Sequence, residues 1–489
     1  MKKNGLLKVI FGVFALVILL TFIIPTTSGE RSYLGIGQFV MNIIQSLAFF
    51  TDPVLLIIVI GGFYGVLNKT DGYKKILDKI ALKYKDNRNF IIFIILAFAL
   101  VAALSGISLP LLVFVPFVVS IILLMGYDKL VALSSTIGAI LVGLLGGLFN
   151  NFIDPSYGSV TTMELSLGLE SGANLLYKIL LLILAVGILV LYVLKHIKNV
   201  KDKKVKYDIK DDSDILITEV KGSYKNIKTW PIVTAFVIMF VILILGLVPW
   251  NSLFEIEIFN NLHTWITGLA IPEFKLFGIT FSEFPIFNNL ISSSFPAFGE
   301  WTSTSFGNVG NQIMVINLII VLMVAVVIFA RVKFDEAVEG FVEGAKKILP
   351  TAILVSLAYV VLISSFTNGF MGSIIKWAME LVGGFNVVVV SILSIIGSFF
   401  SVDFFYSVAG VFSSITGYVE DTSLYPLLDV IYQSFYYLVM LVGPTSVMLI
   451  FGLSYLNIPY KEWLKYIWRL IVQLFILIFV ILCLMLILV

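Results

Sequence analysis

Two polar interruptions lie inside otherwise apolar segments of the chain, and both carry groups suited to binding a small polar molecule. The interruptions are Asn150-Asn151 and Gly443-Pro444-Thr445-Ser446. Asparagine amides offer both donors and acceptors, whereas proline removes a backbone donor and opens a helix. The freed N–H groups and the two hydroxyls of the second interruption could bind a carboxylate at the positive end of the next half-helix. A simple proline kink is the alternative interpretation.

Small and polar residues lead into both interruptions. Glycines allow helix backbones to approach closely, and polar side chains in such helices hydrogen-bond to their neighbours. This pattern favours hairpins or close packing around a buried site, because unsatisfied backbone groups are costly in hydrocarbon. The residues concerned are Ser134, Ser135, Gly143, Gly146 and Gly147 before the first interruption, and Gln433 before the second.

Asp403 is a candidate for coupling transport to an ion, because it lies between two apolar runs. A carboxylate within a membrane segment costs about 2.5–3.5 kcal/mol even on the lenient insertion scale, so its presence favours a function. It would bind Na⁺, take up a proton or pair with the amino group of a substrate. The alternative is that Asp403 caps the next helix at a loop exposed to water.

The composition indicates that membrane elements position these residues. Hydrophobic residues make up 60% of the 489 residues and charged residues only 13%, against about a quarter charged in soluble proteins. Apolar runs, most of them near the length of about 20 residues that one crossing requires, recur throughout the chain. The predicted runs are Leu6–Ile24, Pro53–Leu67, Phe90–Leu104, Leu109–Met125, Val131–Phe149, Leu175–Leu194, Trp230–Val248, Ile313–Ala330, Thr351–Ser365, Val387–Phe400, Phe404–Tyr418, Val430–Phe451 and Leu464–Val489.

These runs number about thirteen, and short ones such as Phe404–Tyr418 could be re-entrant. The Lys and Arg clusters place the N-terminus in the cytoplasm by the positive-inside rule, in a multi-pass protein of the cell membrane. The predicted organisation is a first membrane half (1–194), a charged cytoplasmic linker (195–229) and a second membrane half (230–489). The aromatic loop Trp250–Gln312 is predicted to lie along the outer surface.

An internal repeat is visible between about 53–194 and about 350–489. Thr70-Asp71-Gly72 aligns with Thr367-Asn368-Gly369, and Gly126-Tyr127 aligns with Gly417-Tyr418. The charge rule puts Thr70 inside and Thr367 outside, so the two copies are predicted to be inverted. Inverted repeats with broken helices are typical of alternating-access transporters, which bind substrate between the breaks. Chance similarity between two hydrophobic halves is the alternative.

Several function classes are disfavoured. Phosphate-binding, zinc-protease and Ser-His-Asp signatures are absent, so the chain is not predicted to be an enzyme. The net charge of +2 gives no basic face for nucleic acid. Cys483 is the single cysteine, and His196 and His263 are interpreted as ordinary loop residues, so neither a metal site nor a cofactor is predicted. A channel remains the alternative to a transporter.

The sequence resembles the anaerobic four-carbon-dicarboxylate carriers and their arginine/ornithine-antiporter-like relatives in the ion transporter superfamily. The matching segments are Ile60–Gly72, Gly126-Tyr127-Asp128, Phe341–Lys347, Pro444-Thr445-Ser446 and Ile458–Lys465. The resemblance implies an all-α fold with a scaffold and an elevator-type transport domain, which is built from two inverted units with hairpins. It also implies a homo-oligomer in contact with membrane lipid and a small-molecule substrate.

This chain departs from the family pattern in the presumed binding region. Ser108-Leu109 replaces an acidic pair, Ser401-Val402-Asp403 replaces a Pro-Ser-x-Ser-Gly stretch, and Tyr436-Tyr437-Leu438 replaces polar residues before Pro444. No intramembrane Arg or Lys is predicted near either interruption, whereas a doubly charged anion would benefit from one. We therefore expect secondary transport of an organic anion or amino acid, ion-coupled with Na⁺ or H⁺ or by exchange, with arginine or ornithine ranked slightly above four-carbon dicarboxylates.

Overall fold

The computed structural model is mostly helical. The residues that it describes are 4–148, 151–154, 159–169, 174–202, 227–245, 256–258, 261, 265, 268–285, 312–402 and 404–488. Within these ranges, six helices are long and apolar enough to cross a membrane, and shorter apolar helices account for other predicted runs. The chain is an all-α polytopic membrane protein, as its composition predicts.

The first half of the chain is a series of helices with one small hairpin of strands. The helices are α1 (Asn4–Ile23), α2 (Ile36–Phe49), α3 (Thr51–Asn68), α4 (Asp71–Lys83), α5 (Arg88–Ser105), α6 (Val115–Leu124), α7 (Lys129–Leu133), α8 (Ala139–Leu145), α9 (Met163–Ser166) and α10 (Leu175–Lys201). A 3-10 helix (Leu109–Phe114) precedes α6, and a π-helical turn (Ser134–Gly138) joins α7 to α8. Strands β1 (Asn151–Asp154) and β2 (Ser159–Thr162) pair antiparallel.

The second half repeats much of this order. Its helices are α11 (Trp230–Leu245), α12 (Gln312–Phe329), α13 (Phe334–Thr367), α14 (Phe370–Leu381), α15 (Val387–Phe400), α16 (Phe404–Ser407), α17 (Ser413–Thr416), α18 (Tyr425–Met440), α19 (Val447–Tyr455) and α20 (Tyr460–Leu488). A π-helical turn (Val408–Phe412) joins α16 to α17, and a 3-10 helix (Thr422–Leu424) precedes α18. Between α11 and α12, β3 (Ala270–Ile271) pairs with β6 (Phe284–Pro285), and β4 (Phe274–Leu276) pairs with β5 (Ile279–Phe281).

Helices α3 and α13 pack so closely that only glycine fits between them. A Cβ on Gly65 would lie 2.0 Å from the carbonyl oxygen of Gly340, and one on Gly344 would lie 2.1 Å from that of Gly61. Gly61 of α3 faces Gly344 of α13, and Gly65 faces Gly340. Residue numbers therefore rise along α3 as they fall along α13. The two helices are therefore antiparallel.

The elements that follow α3 and α13 occur in the same order. Because α3 and α13 are antiparallel, the two repeats that they begin run in opposite directions. Each long helix is followed by an amphipathic helix, α4 or α14, and then by a helical hairpin. Hairpin 1 (88–124) turns after Gly106, whose φ of 70° is left-handed. Hairpin 2 (387–416) folds back so that Val411 lies against Gly397. A broken helix comes next, followed by a long helix, α10 or α20.

Several predicted boundaries differ from the structure. Helix α10 continues to Lys201, beyond the predicted start of the linker at 195, and the single run Val430–Phe451 is divided into α18 and α19. Helices α2, α4 and α14 coincide with no predicted run, because α4 and α14 are amphipathic and all three are short. In the aromatic loop, residues 270–285 form the exposed strand pairs, and most of its other residues lie outside the described ranges.

Candidate functional site

Each broken helix rests on the tip of the hairpin in its own repeat. We call residues 146–148, which follow α8, break 1, and residues 441–446, between α18 and α19, break 2. In repeat 1 the backbone N–H of Leu148 donates to the carbonyl of Ala103 at 2.8 Å. In repeat 2 the Thr445 hydroxyl donates to the carbonyl of Phe399 at 3.0 Å, with that of Ser401 at 3.4 Å. Break and hairpin tip thus form one unit in each repeat.

Glycines bring break 1 against its neighbours. A Cβ on Gly143 would lie 2.3 Å from the carbonyl oxygen of Ala99 in α5, and one on Gly146 would lie 2.6 Å from the backbone nitrogen of Leu182 in α10. The end of α8 is therefore held between hairpin 1 and α10 by backbone contact. These two glycines lie where close packing was expected of them.

Gln433 connects the two repeats at break 1. Its amide nitrogen donates to the carbonyls of Leu144 at 3.1 Å and Gly147 at 2.8 Å. Leu144 O also accepts from the backbone N–H of Gly147 at 3.0 Å, whereas the Gln433 side chain, 1% exposed, supplies the donor that Gly147 O would otherwise lack at this helix end. A residue of α18 thus fixes the break of the opposite repeat.

The first carbonyls of break 2 are satisfied by α20. The indole N–H of Trp463 donates to Leu441 O at 2.8 Å, and the Tyr460 hydroxyl donates to Val442 O at 2.5 Å. On the far side of break 2, the Ser446 hydroxyl caps α19 by accepting from the N–H of Leu449 at 3.4 Å. The Thr445 and Ser446 hydroxyls, expected to face a ligand, therefore also hold break 2 in place, while Gly443 and Pro444 form its turn.

Several buried polar atoms near the broken helices have no hydrogen-bond partner among the described residues. They are Ser135 Oγ in the π-helical turn, and Asp429 Oδ1, Gln433 Oε1 and Ser434 Oγ in α18. The neighbouring Ser134 hydroxyl, in contrast, donates to Leu130 O at 2.7 Å and lies 3.1 Å from the Tyr466 hydroxyl. Buried polar groups are normally paired, so these four atoms stand out within the described part of the chain.

A buried charge cluster lies beside break 1. The ammonium of Lys178 is 2.7 Å from Glu164 Oε1 and 2.8 Å from Asp429 Oδ2. Asn174 Nδ2 donates to the same Asp429 oxygen at 2.8 Å. None of the three charged side chains is more than 2% exposed. The cluster joins α9 and α10 of the first repeat to α18 of the second.

The sequence does not reveal this cluster. The expectation that no Lys or Arg lies within the membrane near a break is wrong, because α10 buries Lys178 against α18. The available signal was the presence of Lys178 in a predicted run, with Asp429 at the edge of another and Glu164 between two of them. Contact between α10 and α18 could not be read from that spacing.

His196 also differs from its interpretation as a loop residue. It lies on α10 and is 8% exposed. Its Nε2 is 2.8 Å from Asp128 Oδ2, and the other carboxylate oxygen of Asp128 accepts from the backbone N–H of Val131 at the start of α7. The pair links the far end of α10 to the first helix of the broken segment. His263 lies outside the described residues.

Three of the predicted site residues cannot be placed in this geometry. Asn150 and Asp403 lie outside the described residues, and Asn151 begins β1 with no described side chain. A common site formed by both breaks therefore stays a prediction. Along α18, Gln433 precedes Leu441 by about two helical turns, so break 1 lies beside α18 about 12 Å before break 2 begins.

Comparisons with known proteins show the family of the chain. The model of a family described as "C4-dicarboxylate anaerobic carrier" matches residues 6–487. A protein from Haemophilus influenzae is 26% identical over 226 residues, which span 44% of this chain and 43% of that relative. The solved structure of the Alcanivorax borkumensis YdaH transporter aligns with a TM-score of 0.38 and 12% identity, over 98% of this chain and 97% of that chain. The chain belongs to the C4-dicarboxylate anaerobic carrier family.

Proposed function

We propose that the protein is a secondary active transporter of a small carboxylate-bearing metabolite, with four-carbon dicarboxylates as the first substrates to test. The observation that carries this proposal is the pair of helix breaks, each resting on the hairpin tip of its own repeat. Non-helical backbone at membrane depth is tolerated where protein or a water-filled cavity surrounds it. Half-helix ends in inverted repeats bind anionic groups of substrates in this way.

The proposed site uses groups at break 2 and groups just beyond break 1. The first turn of α19 has backbone N–H groups that no helical carbonyl can satisfy, and these suit a carboxylate. The amides of Asn150 and Asn151, with the orphan oxygen of Gln433, would bind the other polar end of the substrate. Thr445 acts as a positioning residue, because its hydroxyl holds the tip of hairpin 2.

The opposite directions of the two repeats suggest how the substrate site could open to each side of the membrane in turn. We assign α1–α4 and α11–α13 to the scaffold, and the hairpins, broken helices, α10 and α20 to a transport domain that moves as an elevator. Helix α13 contacts α19 through a hydrogen bond between the hydroxyls of Thr351 and Ser454 at 2.7 Å. In this proposal the protein lies in the cell membrane as a homo-oligomer, with its N-terminus in the cytoplasm.

An amino acid such as arginine or ornithine is the second candidate substrate. Lys178 is already paired with two carboxylates, so its charge is not offered to a second carboxylate of the substrate. A substrate with a smaller negative charge would place less demand on the site. The family membership favours the dicarboxylates, which reverses the ranking that the sequence alone suggested.

Counterflow in proteoliposomes tests the proposal. We expect vesicles loaded with unlabelled succinate to take up labelled succinate transiently, with competition by other four-carbon dicarboxylates. Competition by arginine or ornithine alone would select the second candidate. Uptake that neither saturates nor shows counterflow would identify a channel and refute secondary transport.

Two variants test the site. Asn151→Ala and Thr445→Ala should each lower counterflow by at least about tenfold if they remove contacts worth about 1.4 kcal/mol or more. The matched controls are Asn199→Ala on α10 and Thr416→Ala on α17, which lie away from both breaks and should transport normally. Normal transport by both site variants would refute the assignment.

A further inference from the structure

We propose that Glu164, Lys178 and Asp429 form a proton-binding site that drives accumulation of the substrate, an inference that rests on the proposed transport function. The site differs from the coupling candidate that the sequence suggested, Asp403, which lies outside the described residues. It is assigned from the buried charge cluster beside break 1 and from the orphan carboxylate oxygen within it.

The charges of the cluster do not balance. Two carboxylates share one ammonium at 2.7 and 2.8 Å, so the three ionised side chains carry a net charge of −1. Removing charges from water costs several kcal/mol per ion, and pairing offsets that cost only when the charges are matched. One bound proton would make the cluster neutral. The cluster can therefore exist in two charge states, one with a net charge of −1 and one that is neutral.

Asp429 is the residue that would take up the proton. Its Oδ2 accepts from both Lys178 and Asn174, whereas its Oδ1 is buried without a partner among the described residues. The charged side chains that act on Asp429 are Lys178 of α10 and Glu164 of α9. Protonation transfers a proton from a hydronium ion to Oδ1, so that one O–H bond forms on Asp429, one O–H bond of the hydronium ion breaks, and water is released. Lys178 then remains paired with Glu164 as a neutral couple.

The position of Asp429 links its charge to the substrate site. It precedes Gln433 by one turn of α18, about 6 Å along the axis, and both side chains lie on the same face. Gln433 holds break 1, and Asn174 ties the start of α10 to α18 by also donating to Pro426 O at 3.0 Å. Protonation weakens the attraction between α18 and α10 at the place where α18 supports the break.

A proton fits the cluster better than a metal cation does. The ammonium of Lys178 already occupies the space between the two carboxylates, where Na⁺ would need several oxygen ligands. A second cation there would be repelled by the first at short range. A proton binds to one oxygen and needs no further space.

Transport with a trapped pH indicator tests the inference. Wild-type vesicles should accumulate succinate under an inward proton gradient, with acidification of the lumen. Asp429→Asn keeps the neutral Lys178–Glu164 pair and is nearly isosteric, so we expect it to fold and retain counterflow while accumulation falls to equilibration. Asp421→Asn, which changes an exposed aspartate, is the matched control and should accumulate normally. Accumulation by Asp429→Asn with unchanged proton movement would overturn the proposal, as would wild-type accumulation driven by Na⁺ without proton movement.

Infrared difference spectra of the purified protein separate this inference from the transport function. Between neutral and acidic pH, the wild type and Asp421→Asn should show the carbonyl band of a buried protonated carboxyl group, and Asp429→Asn should lack it. If the band appears but no candidate substrate is transported, the proposed function fails and the proton site stands. If transport is normal but the band is absent or survives in Asp429→Asn, the proton site is refuted.

Discussion

Break 1 and break 2 each follow a buried helix and each contact a hairpin tip, but their free carbonyls are satisfied from different places. Gln433 of the opposite repeat supplies the donor at break 1, whereas Tyr460 and Trp463 of the same repeat supply them at break 2. Break 1 therefore depends on contact between the two repeats, whereas break 2 depends mainly on contacts within its own repeat. Similar backbone interruptions need not respond alike when the repeats shift.

The aspartates that follow the two Gly-Tyr pairs show a similar contrast. Asp128 and Asp421 both cap the helix that follows, by accepting from Val131 and Ser423 N–H groups. Asp128 is buried and paired with His196, while Asp421 is exposed. The buried ionic contact of the second repeat is formed by Asp429 instead. Both repeats thus have the aspartate cap, but only in the first repeat does the capping aspartate also form the buried contact with a basic side chain.

The largest difference is expected from removing the donors at each break. Gln433→Leu leaves the buried Gly147 carbonyl without its donor, because Leu144 O keeps a backbone donor, whereas Tyr460→Phe leaves the half-buried Val442 carbonyl. An unsatisfied buried group costs about 1–3 kcal/mol, and a half-buried one costs less because water can reach it. We expect Gln433→Leu to destabilise the protein by about 1–3 kcal/mol and to abolish counterflow, with a smaller loss in Tyr460→Phe. Thermal unfolding in detergent and vesicle transport measure both. Equal losses would refute the difference between the breaks.

A smaller difference is expected from adding a methyl group at each break. A Cβ at Gly146 meets the backbone of Leu182 at 2.6 Å, whereas one at Gly443 lies 3.1 Å from Val439 O. Gly146→Ala should cost about 1–3 kcal/mol, because α10 has to move away, and Gly443→Ala should cost less. The unfolding temperatures of the two variants test this order, and a Gly146→Ala protein more stable than Gly443→Ala would contradict it.

The contact between break 2 and hairpin 2 should have a still smaller effect on stability. Thr445→Val removes the hydroxyl that donates to Phe399 O, at a cost of about 1 kcal/mol. Thr445→Ser retains the donor and serves as the control. Transport rates compared at equal protein amounts would show whether the hairpin tip needs this bond. Equal transport rates for Thr445→Val and Thr445→Ser would mean that packing alone holds the hairpin tip.

The smallest effect concerns acid stability at Asp421. Hydrogen bonds from the Ser423 hydroxyl and N–H lower the pKa of the Asp421 carboxyl below 3.8. Its stabilisation is therefore present above the pKa of the unfolded chain and is lost as pH falls through the lower pKa of the folded state. Asp421→Asn retains a cap but removes this dependence below about pH 4. Unfolding temperatures that decline with acid identically in both proteins would contradict it.

Much of the membrane fold could be predicted from the sequence, because apolar runs and polar interruptions are local features. Pro444 marks break 2 directly. Contacts between distant segments could not be predicted in this way: the side chain of Gln433 reaches Gly147 only because α18 packs against α8. His196 follows Lys195 in a basic stretch, so its burial was hidden by a helix that continues farther than its hydropathy indicates.

Helix α10 also acts as a rigid spacer between two electrostatic contacts. Lys178 and His196 are separated by about five complete turns, so they project from the same side of the helix about 27 Å apart. Their partners, Asp429 and Asp128, belong to opposite repeats. Inserting one residue between them would rotate one end by about 100° relative to the other. Both contacts could then form only if the helix were locally underwound, with the extra residue taken up in a π-bulge. The rotational phase of α10 is therefore as important as its length.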